Sequence, residues 1–212
     1  MAASTAPARR TQAERVEASD RALIGAAVRL IAERGYQRTT LAAIGDAAGY
    51  SRGLVTQRFG SKEGLLWAVL DRLLTTWSVR TAGPRVGDRV GIPALRATID
   101  AYLHVVETAP ESLRAYHALL READGPVPAV RARIAELNRD ERATIAGWLG
   151  AGQAAGAVRA DIDPRATAVA FLAVLRGATT QWLLDPTTDI VAALTQYAAT
   201  LDRALGADHD RP

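Results

Sequence analysis

Residues 40–63 read TLAAIGDAAGYSRGLVTQRFGSKE, and the rest of the chain is best understood from this stretch outward. Thr40 is placed to cap a short helix over Leu41 to Ala48 that turns Leu41, Ile44 and Ala48 inward. Gly49 is free to take positive φ, and Ser51 can cap a second short helix, Arg52 to Phe59. Gly60 ends that helix, and Ser61 opens a longer one with Leu65, Leu66, Val69, Leu70, Leu73, Leu74 and Trp77 on a wide apolar face. Upstream, Leu23, Ala27, Leu30 and Ile31 share one stripe of a first helix that starts near Ser19 and stops at Gly35. Two short helices joined by a glycine turn and braced by a preceding helix form a helix-turn-helix. The second is polar outside, with Arg52, Thr56, Gln57 and Arg58, while Leu54, Val55 and Phe59 hold it in place. Arginine can bond guanine, and glutamine adenine, in bidentate fashion, each worth roughly 1–3 kcal/mol of base discrimination. Gly53 leaves room for the helix to approach a duplex closely.

The charge distribution points the same way. Residues 1–62 carry ten basic side chains, nine of them Arg and the last Lys62, against five acidic ones. The first 62 residues are thus +5 within a chain of net charge +3, and the other 150 are −2. A positive head on a mildly negative body suits a protein of which only one end meets a polyanion. Lys62 is the only lysine.

Residues 1–18, with Arg9, Arg10 and Arg15, lack apolar periodicity and read as a flexible basic arm. Thr81 to Gly91 contains four glycines or prolines and reads as a loop between head and body. Beyond it, Pro93 and Pro110 suit first helical turns and suggest helices near 93–108 and 110–122. A break at Asp124 to Pro128 precedes a long helix near 128–153. Asp163-Pro164 starts another, ending at Asp185-Pro186, and Thr188 caps the last, where Ile190, Leu194, Tyr197, Leu201 and Leu205 recur at helical spacing. The expectation is an all-α chain of about nine helices. It divides into an arm (1–18), a helix-turn-helix domain (19–77), a larger ligand-sensing and dimerisation domain (78–206) and a polar tail (207–212).

Several classes are excluded or disfavoured. With no cysteine among 212 residues there is neither a disulfide framework nor a thiolate metal site nor a cysteine nucleophile. No run of eighteen apolar residues or signal peptide is evident, so a cytoplasmic protein without membrane contact is expected. An all-α enzyme is the rival from another class: His104 and Glu107 lie three apart, and His117 follows. No second carboxylate–histidine pair or His-Glu-x-x-His pattern accompanies them, and Asp161 and Asp163 are explained by helix initiation. No catalytic residue, metal site or cofactor is therefore expected. A second rival is a DNA-binding or architectural protein with no effector.

From Arg21 to Leu66 the sequence resembles the TetR family of bacterial regulators. The resemblance is carried by Gly35-Tyr36, Thr39-Thr40, Ala48-Gly49-Tyr50-Ser51, Phe59 and Ser61-Lys62-Glu63 in this order and spacing. It implies that Thr40, Thr56 and Lys62 touch phosphates while Arg52, Gly53 and Gln57 face base edges; Ser51 and Arg58 complete the candidate DNA-contacting set. Two positions depart from the family pattern. Thr56-Gln57-Arg58-Phe59 stands where Tyr-x-His-Phe is usual, which removes an aromatic anchor and installs a permanent charge. Gly45 stands where alanine is usual, at about 1 kcal/mol of helix propensity.

The segments DIDP (161–164) and LRGATTQWLLDP (175–186) are also similar to the family's C-terminal half. This resemblance implies that the last two long helices pair with those of a second subunit in a homodimer. Phe171, Leu172, Leu175, Ala178, Leu194, Tyr197 and Leu201 then either form that interface or face only their own core. Trp77, Tyr102, His104, Tyr116, His117 and Trp148 lie on the helices that surround the effector cavity in similar proteins. They are the candidate pocket for a small molecule of unknown identity. The implied partners are palindromic double-stranded operator DNA, such an effector and a second copy of the chain. Repression is the family's habit.

Overall fold

A computed structural model describes residues 11–122, 125 and 128–207. Arg9, Arg10, most of the expected break at 124–128 and the tail from 208 onward lie outside the described residues. The fold is all-α, and among the described residues strand-like pairing is limited to one bridge between Val158 and Gly206.

Helix α1 spans Gln12–Arg34, seven residues ahead of the expected start at Ser19. Thr11 Oγ1 accepts from the Glu14 N–H while the Glu14 carboxylate accepts from the Thr11 N–H at 2.7 Å, a reciprocal cap that fixes the start. Residues 12–18 are therefore helical, not a flexible arm, and Arg15 is exposed on the first turns. The short pair follows as α2 (Leu41–Ala48) and α3 (Arg52–Phe59), each capped as expected, by Thr40 and Ser51.

Helix α4 (Lys62–Thr75), capped by Ser61, continues through a π-helical segment (Thr76–Ala82) into a last turn, α5 (Gly83–Val86). The backbone stays right-handed helical across both junctions, so the expected loop from Thr81 shrinks to the few residues after Val86. The cause is local. Pro84 has no N–H to give, and the Gly83 N–H reaches back to the Ser78 carbonyl, widening the helix. A Cβ at Gly83 would lie 2.3 Å from that carbonyl oxygen, so the wide turn requires glycine there. The expected boundary at 77/78 thus falls inside one continuous rod.

The body comprises α6 (Gly91–Thr108), α7 (Pro110–Arg121), α8 (Pro128–Ala154), α9 (Pro164–Leu184) and α10 (Ile190–Leu205). Counting α4, its π segment and α5 as one rod, the described residues form nine helices. Asp163 caps α9 as expected, but α10 is capped by Asp189, whose carboxylate accepts from the Ala192 N–H, and not by Thr188.

Two cores meet at α7. The head core joins Leu23, Ala27 and Ile31 of α1, Ile44, Val55 and Leu66 to Ala115, Ala118 and Leu119 of α7. The body core holds Leu95, Ile99, Leu113, Leu149, Phe171, Leu175 and Leu194. Leu113 and Leu119 lie on one helix and serve different cores, so any shift of α7 is felt by both.

Candidate nucleic-acid interface and regulatory core

The two short helices are held together by one tight turn. Gly49 takes the left-handed conformation (φ 76°, ψ 28°), and the Tyr50 N–H bonds the Gly45 carbonyl at 2.8 Å. A Cβ at Gly45 would stand 2.7 Å from the Tyr50 carbonyl oxygen. The sequence view counted this glycine only as a loss of helix propensity; in the fold it lets the turn close against α2.

Val55, fully buried, anchors α3, with Leu54 and Phe59 half-buried beside it. Arg52, Gly53, Thr56 and Gln57 are all exposed and occupy two rungs of one helical face, 52 over 56 and 53 over 57. Nothing lies within 3.4 Å of a Cβ built at Gly53. Thr40 and Ser51 are exposed too, and each spends a lone pair on capping while keeping its hydroxyl proton to donate.

Two expected contacts are placed differently from the rest. Arg58 is turned toward α1, its Nε 3.4 Å from the Asp20 carboxylate, and is only partly exposed. In this arrangement it braces α3 against α1 and does not stand beside Arg52 and Gln57. The Lys62 Nζ donates to the Gln37 carbonyl at 2.8 Å and lies 4.4 Å from the centre of the Tyr36 ring. Burial lowers its pKa, and Glu122 partly offsets this. Glu122 also accepts from the Gln37 side chain at 2.6 Å, tying the end of α7 to the loop that holds Lys62.

Inside the body, four of the six candidate pocket residues form a connected group. Tyr102 OH contacts Thr179 Oγ1 at 2.6 Å and His117 Nε2 at 3.1 Å; Trp77 meets the Tyr102 ring edge-on, and Tyr116 meets His117 likewise. Thr179 gives its one proton to the Leu175 carbonyl, so Tyr102 must donate to Thr179 and His117 must donate from Nε2 to Tyr102. Its pKa is pushed down to about 4 by burial first, then by the Arg176 and Arg121 charges, which keeps the imidazole neutral near pH 7. Burial also pushes the Tyr102 hydroxyl up to about 12. His104 does not belong to this group. It is exposed on the outer side of α6, because residues two apart on a helix point about 200° away from each other. Trp148 packs toward Val86, Ala94 and Ala97, nearer the other end of α6. A surface groove of about 220 Å³ between α1 and α4 is lined by Glu17, Asp20, Arg21, Ile24, Arg72 and Arg80, none of them a candidate pocket residue.

The sequence view missed the partners of this group. Arg176 donates to Asn138 at 2.7 Å and to Glu141 at 2.5 Å, next to the Tyr116 hydroxyl in charge environment. A signal was available: between Ala166 and Leu184, Arg176 is the only charged residue of α9. Among the described residues, no group of three His, Cys, Asp or Glu side chains is arranged to hold a metal ion.

The expected dimer residues are corrected. Phe171, Leu175, Leu194 and Leu201 are at most 3% exposed and fill the chain's own core, so they cannot meet a second copy. Leu172, Ala178 and Tyr197 are half-buried against the same core. The face that α9 leaves open is made of Ala166, Val169, Ala170, Ala173, Val174 and Gly177, with Val169 52% and Val174 37% exposed.

Comparison with known proteins covers both halves. Residues 23–69 match the family described as "Bacterial regulatory proteins, tetR family", and residues 91–198 match "Tetracyclin repressor-like, C-terminal domain". The chain is 33% identical over 150 residues to the HTH-type transcriptional repressor KstR2 of Rhodococcus jostii, covering 66% of this chain and 68% of that protein. A TetR transcriptional regulator from Chloroflexus aurantiacus has a similar fold, with TM-score 0.80 and 21% identity over 91% of this chain and 98% of that one. SmeT, the repressor of the Stenotrophomonas maltophilia multidrug efflux pump SmeDEF, gives TM-score 0.72 and 22% identity over 90% and 91% of the two chains. SmeT has also been solved as a complex with triclosan.

Proposed function

The chain belongs to the TetR family and is a DNA-binding transcriptional regulator, not an enzyme; from that premise we propose a homodimeric repressor that a small-molecule effector releases from a palindromic operator. The observation that carries this reading is the outward face of α3. Four polar or side-chain-free positions, Arg52, Gly53, Thr56 and Gln57, are exposed together on an eight-residue helix whose only fully buried side chain is Val55. Arg52 and Gln57 read bases, Gly53 admits the duplex, and Thr40, Ser51 and Thr56 supply hydroxyls to phosphates. Lys62 adds the charge of its ammonium near the backbone, with one N–H left after its bonds to Gln37 and the Tyr36 ring.

A pair of recognition helices must span two half-sites about one helical turn apart, which calls for a second copy. We place that copy on the outer stripe of α9. By length and composition this helix would pass for a membrane span, at hydropathy 1.2, yet only 22% of that window is buried within the chain. Its small side chains allow a partner helix to approach closely and cover the remainder. The protein then acts in the cytoplasm, where its operator lies. The effector reading is supported by the polar group that Tyr102 of α6 forms with Tyr116 and His117 of α7, the helix shared by both cores. SmeT, of similar fold, has been solved with a small molecule bound. A regulator with no effector would leave that interior group without a use.

The test is a binding titration at low ionic strength with a palindromic duplex from the region upstream of the protein's own coding sequence and with random duplex of equal length. Preference for the palindrome, with two chains per duplex, is the expected result. Equal affinity for both duplexes would overturn sequence-specific recognition.

A further inference from the structure

The polar groups inside the body are unequally satisfied. The run from His117 through Tyr102 and Thr179 to the Leu175 carbonyl is complete, each proton having an acceptor. The Tyr116 hydroxyl, sealed from solvent, makes no hydrogen bond of ordinary geometry among the described residues, with only a loose approach from the Arg176 guanidinium. Arg176 makes its bonds to both Asn138 and Glu141 through Nη2, which leaves Nε and Nη1 outside them. A buried hydroxyl without a partner is destabilising, and a guanidinium is shaped to bind planar, two-oxygen anions along an edge. These two incomplete groups are neighbours: the Arg176 and Glu141 charges both act on Tyr116.

We propose that the effector is an amphipathic monocarboxylate, whose carboxylate takes the unused edge of Arg176 and the Tyr116 hydroxyl. This rests on the effector reading above. Its apolar part lies along the half-buried Leu172 and Trp182 of the same helix, which border the body core. The side chains of Arg176 and Glu141 are each about a quarter exposed, at 25% and 27%, so a ligand can reach them in the folded chain, and the sealed Tyr116 hydroxyl opens to it as the guanidinium turns toward the ligand.

The surrounding charges select for an acid. Among the described residues, Arg176 of α9, Arg121 of α7 and Arg142 of α8 act on the group and Glu141 opposes them; Arg114 lies over the Trp182 ring at 5.3 Å. His117 and Tyr102, the remaining titratable neighbours on α7 and α6, are neutral at pH 7. A cationic amine would meet this positive balance, and an alcohol would engage only the tyrosine. Glu141, already pushed upward by burial against the opposing Arg176 charge, gains a second carboxylate beside it when an acid binds, which pushes it further the same way.

The experiment uses the full chain and titrates it calorimetrically with the straight-chain acids from acetate to decanoate and with the alcohols and amines of the same lengths. At the best chain length the acid is expected to bind roughly tenfold more tightly than its alcohol, with the amine weaker still. Tyr116→Phe should weaken that acid roughly tenfold while leaving the unliganded melting temperature unchanged or raised, because an unpaired hydroxyl has been removed. Glu141→Gln should tighten acid binding, because the like charge beside the bound carboxylate is removed. The carboxylate site is overturned by acids that bind no better than alcohols or amines, by acid affinity unchanged in Tyr116→Phe, or by a lowered melting temperature in that variant. Operator release by an alcohol or amine while no acid binds sinks the site and leaves the effector reading standing. An acid that binds as expected and never alters operator affinity does the reverse.

Discussion

Helices α3 and α9 are built inside out relative to one another. On α3 the buried side chain is an apolar valine and the exposed ones are Arg52, Thr56 and Gln57. On α9 the polar Thr179 is fully buried and Arg176 faces Glu141, while Val169, Ala173 and Val174 stand in solvent. A polar exterior on a helix too short to serve as a core element suits a polyanion. An apolar exterior on a helix that already fills its own core suits another copy of the same surface. The difference teaches that burial alone does not mark a functional face; what matters is which groups a helix leaves over after its core has been filled.

The contrast is broken most forcefully on α9. Replacing Val169 and Val174 with Glu should convert the proposed dimer to monomer in sedimentation measurements. Operator affinity should then fall about 100-fold or more, since each head would bind without its linked neighbour. An undiminished dimer would remove the outer stripe from the interface.

The inverted interior can be tested by pH. His117 takes a proton below about 6.5 in the unfolded chain, but only below about 4 in the folded one. Its contribution to stability is therefore complete above pH 6.5, declines as pH falls from 6.5 toward 4, and is lost below that. The loss is on the order of 3 kcal/mol. Urea unfolding of the parent and His117→Gln across this range should show the steeper decline in the parent, and parallel curves would contradict a buried neutral imidazole.

On α3, Val55→Ala should cost about 2 kcal/mol, lowering the melting temperature by about 5 °C, and weaken all duplexes alike. Arg52→Ala and Gln57→Ala should each relax base preference at one operator position by roughly 1–3 kcal/mol, whereas Lys62→Ala should reduce the salt slope by about one unit without changing preference. Uniform weakening by all three would erase the distinction between base-reading and phosphate-touching residues. The smallest effect belongs to Arg58→Ala. Its pairing with Asp20, on side chains about a third exposed and without a formal hydrogen bond, contributes at most about 1 kcal/mol, and base preference should not move.

Local signals were the legible ones. Thr40, Ser51, Ser61 and Asp163 cap as their sequence positions suggest, because a cap depends on a few adjacent residues. The Thr11–Glu14 box was equally local, yet lay hidden in a turn without apolar periodicity. The wide turn at Thr76–Ala82 could not be read, since glycine and proline in a row announce a loop and a widened helix alike. On α9, apolar residues occur on every side, so periodicity could not say whether Phe171 or Val169 pointed outward. For His104 the information was present: two residues from Tyr102 on one helix, it had to point elsewhere. The link from Arg176 to Asn138 and Glu141 spans thirty-five residues or more and depends on how α8 meets α9, which no local pattern encodes.

The clasp on Lys62 also bears on how this protein can be handled. As the chain's one lysine, it is the only side chain that amine-directed dyes, cross-linkers or chip chemistries can attack, and its lowered pKa shifts it toward the reactive free amine. Immobilisation by that route tethers the molecule by the end meant to meet the duplex and blinds the assay. Attachment through a cysteine introduced at Val79, 65% exposed in a chain with no native thiol, leaves that end free.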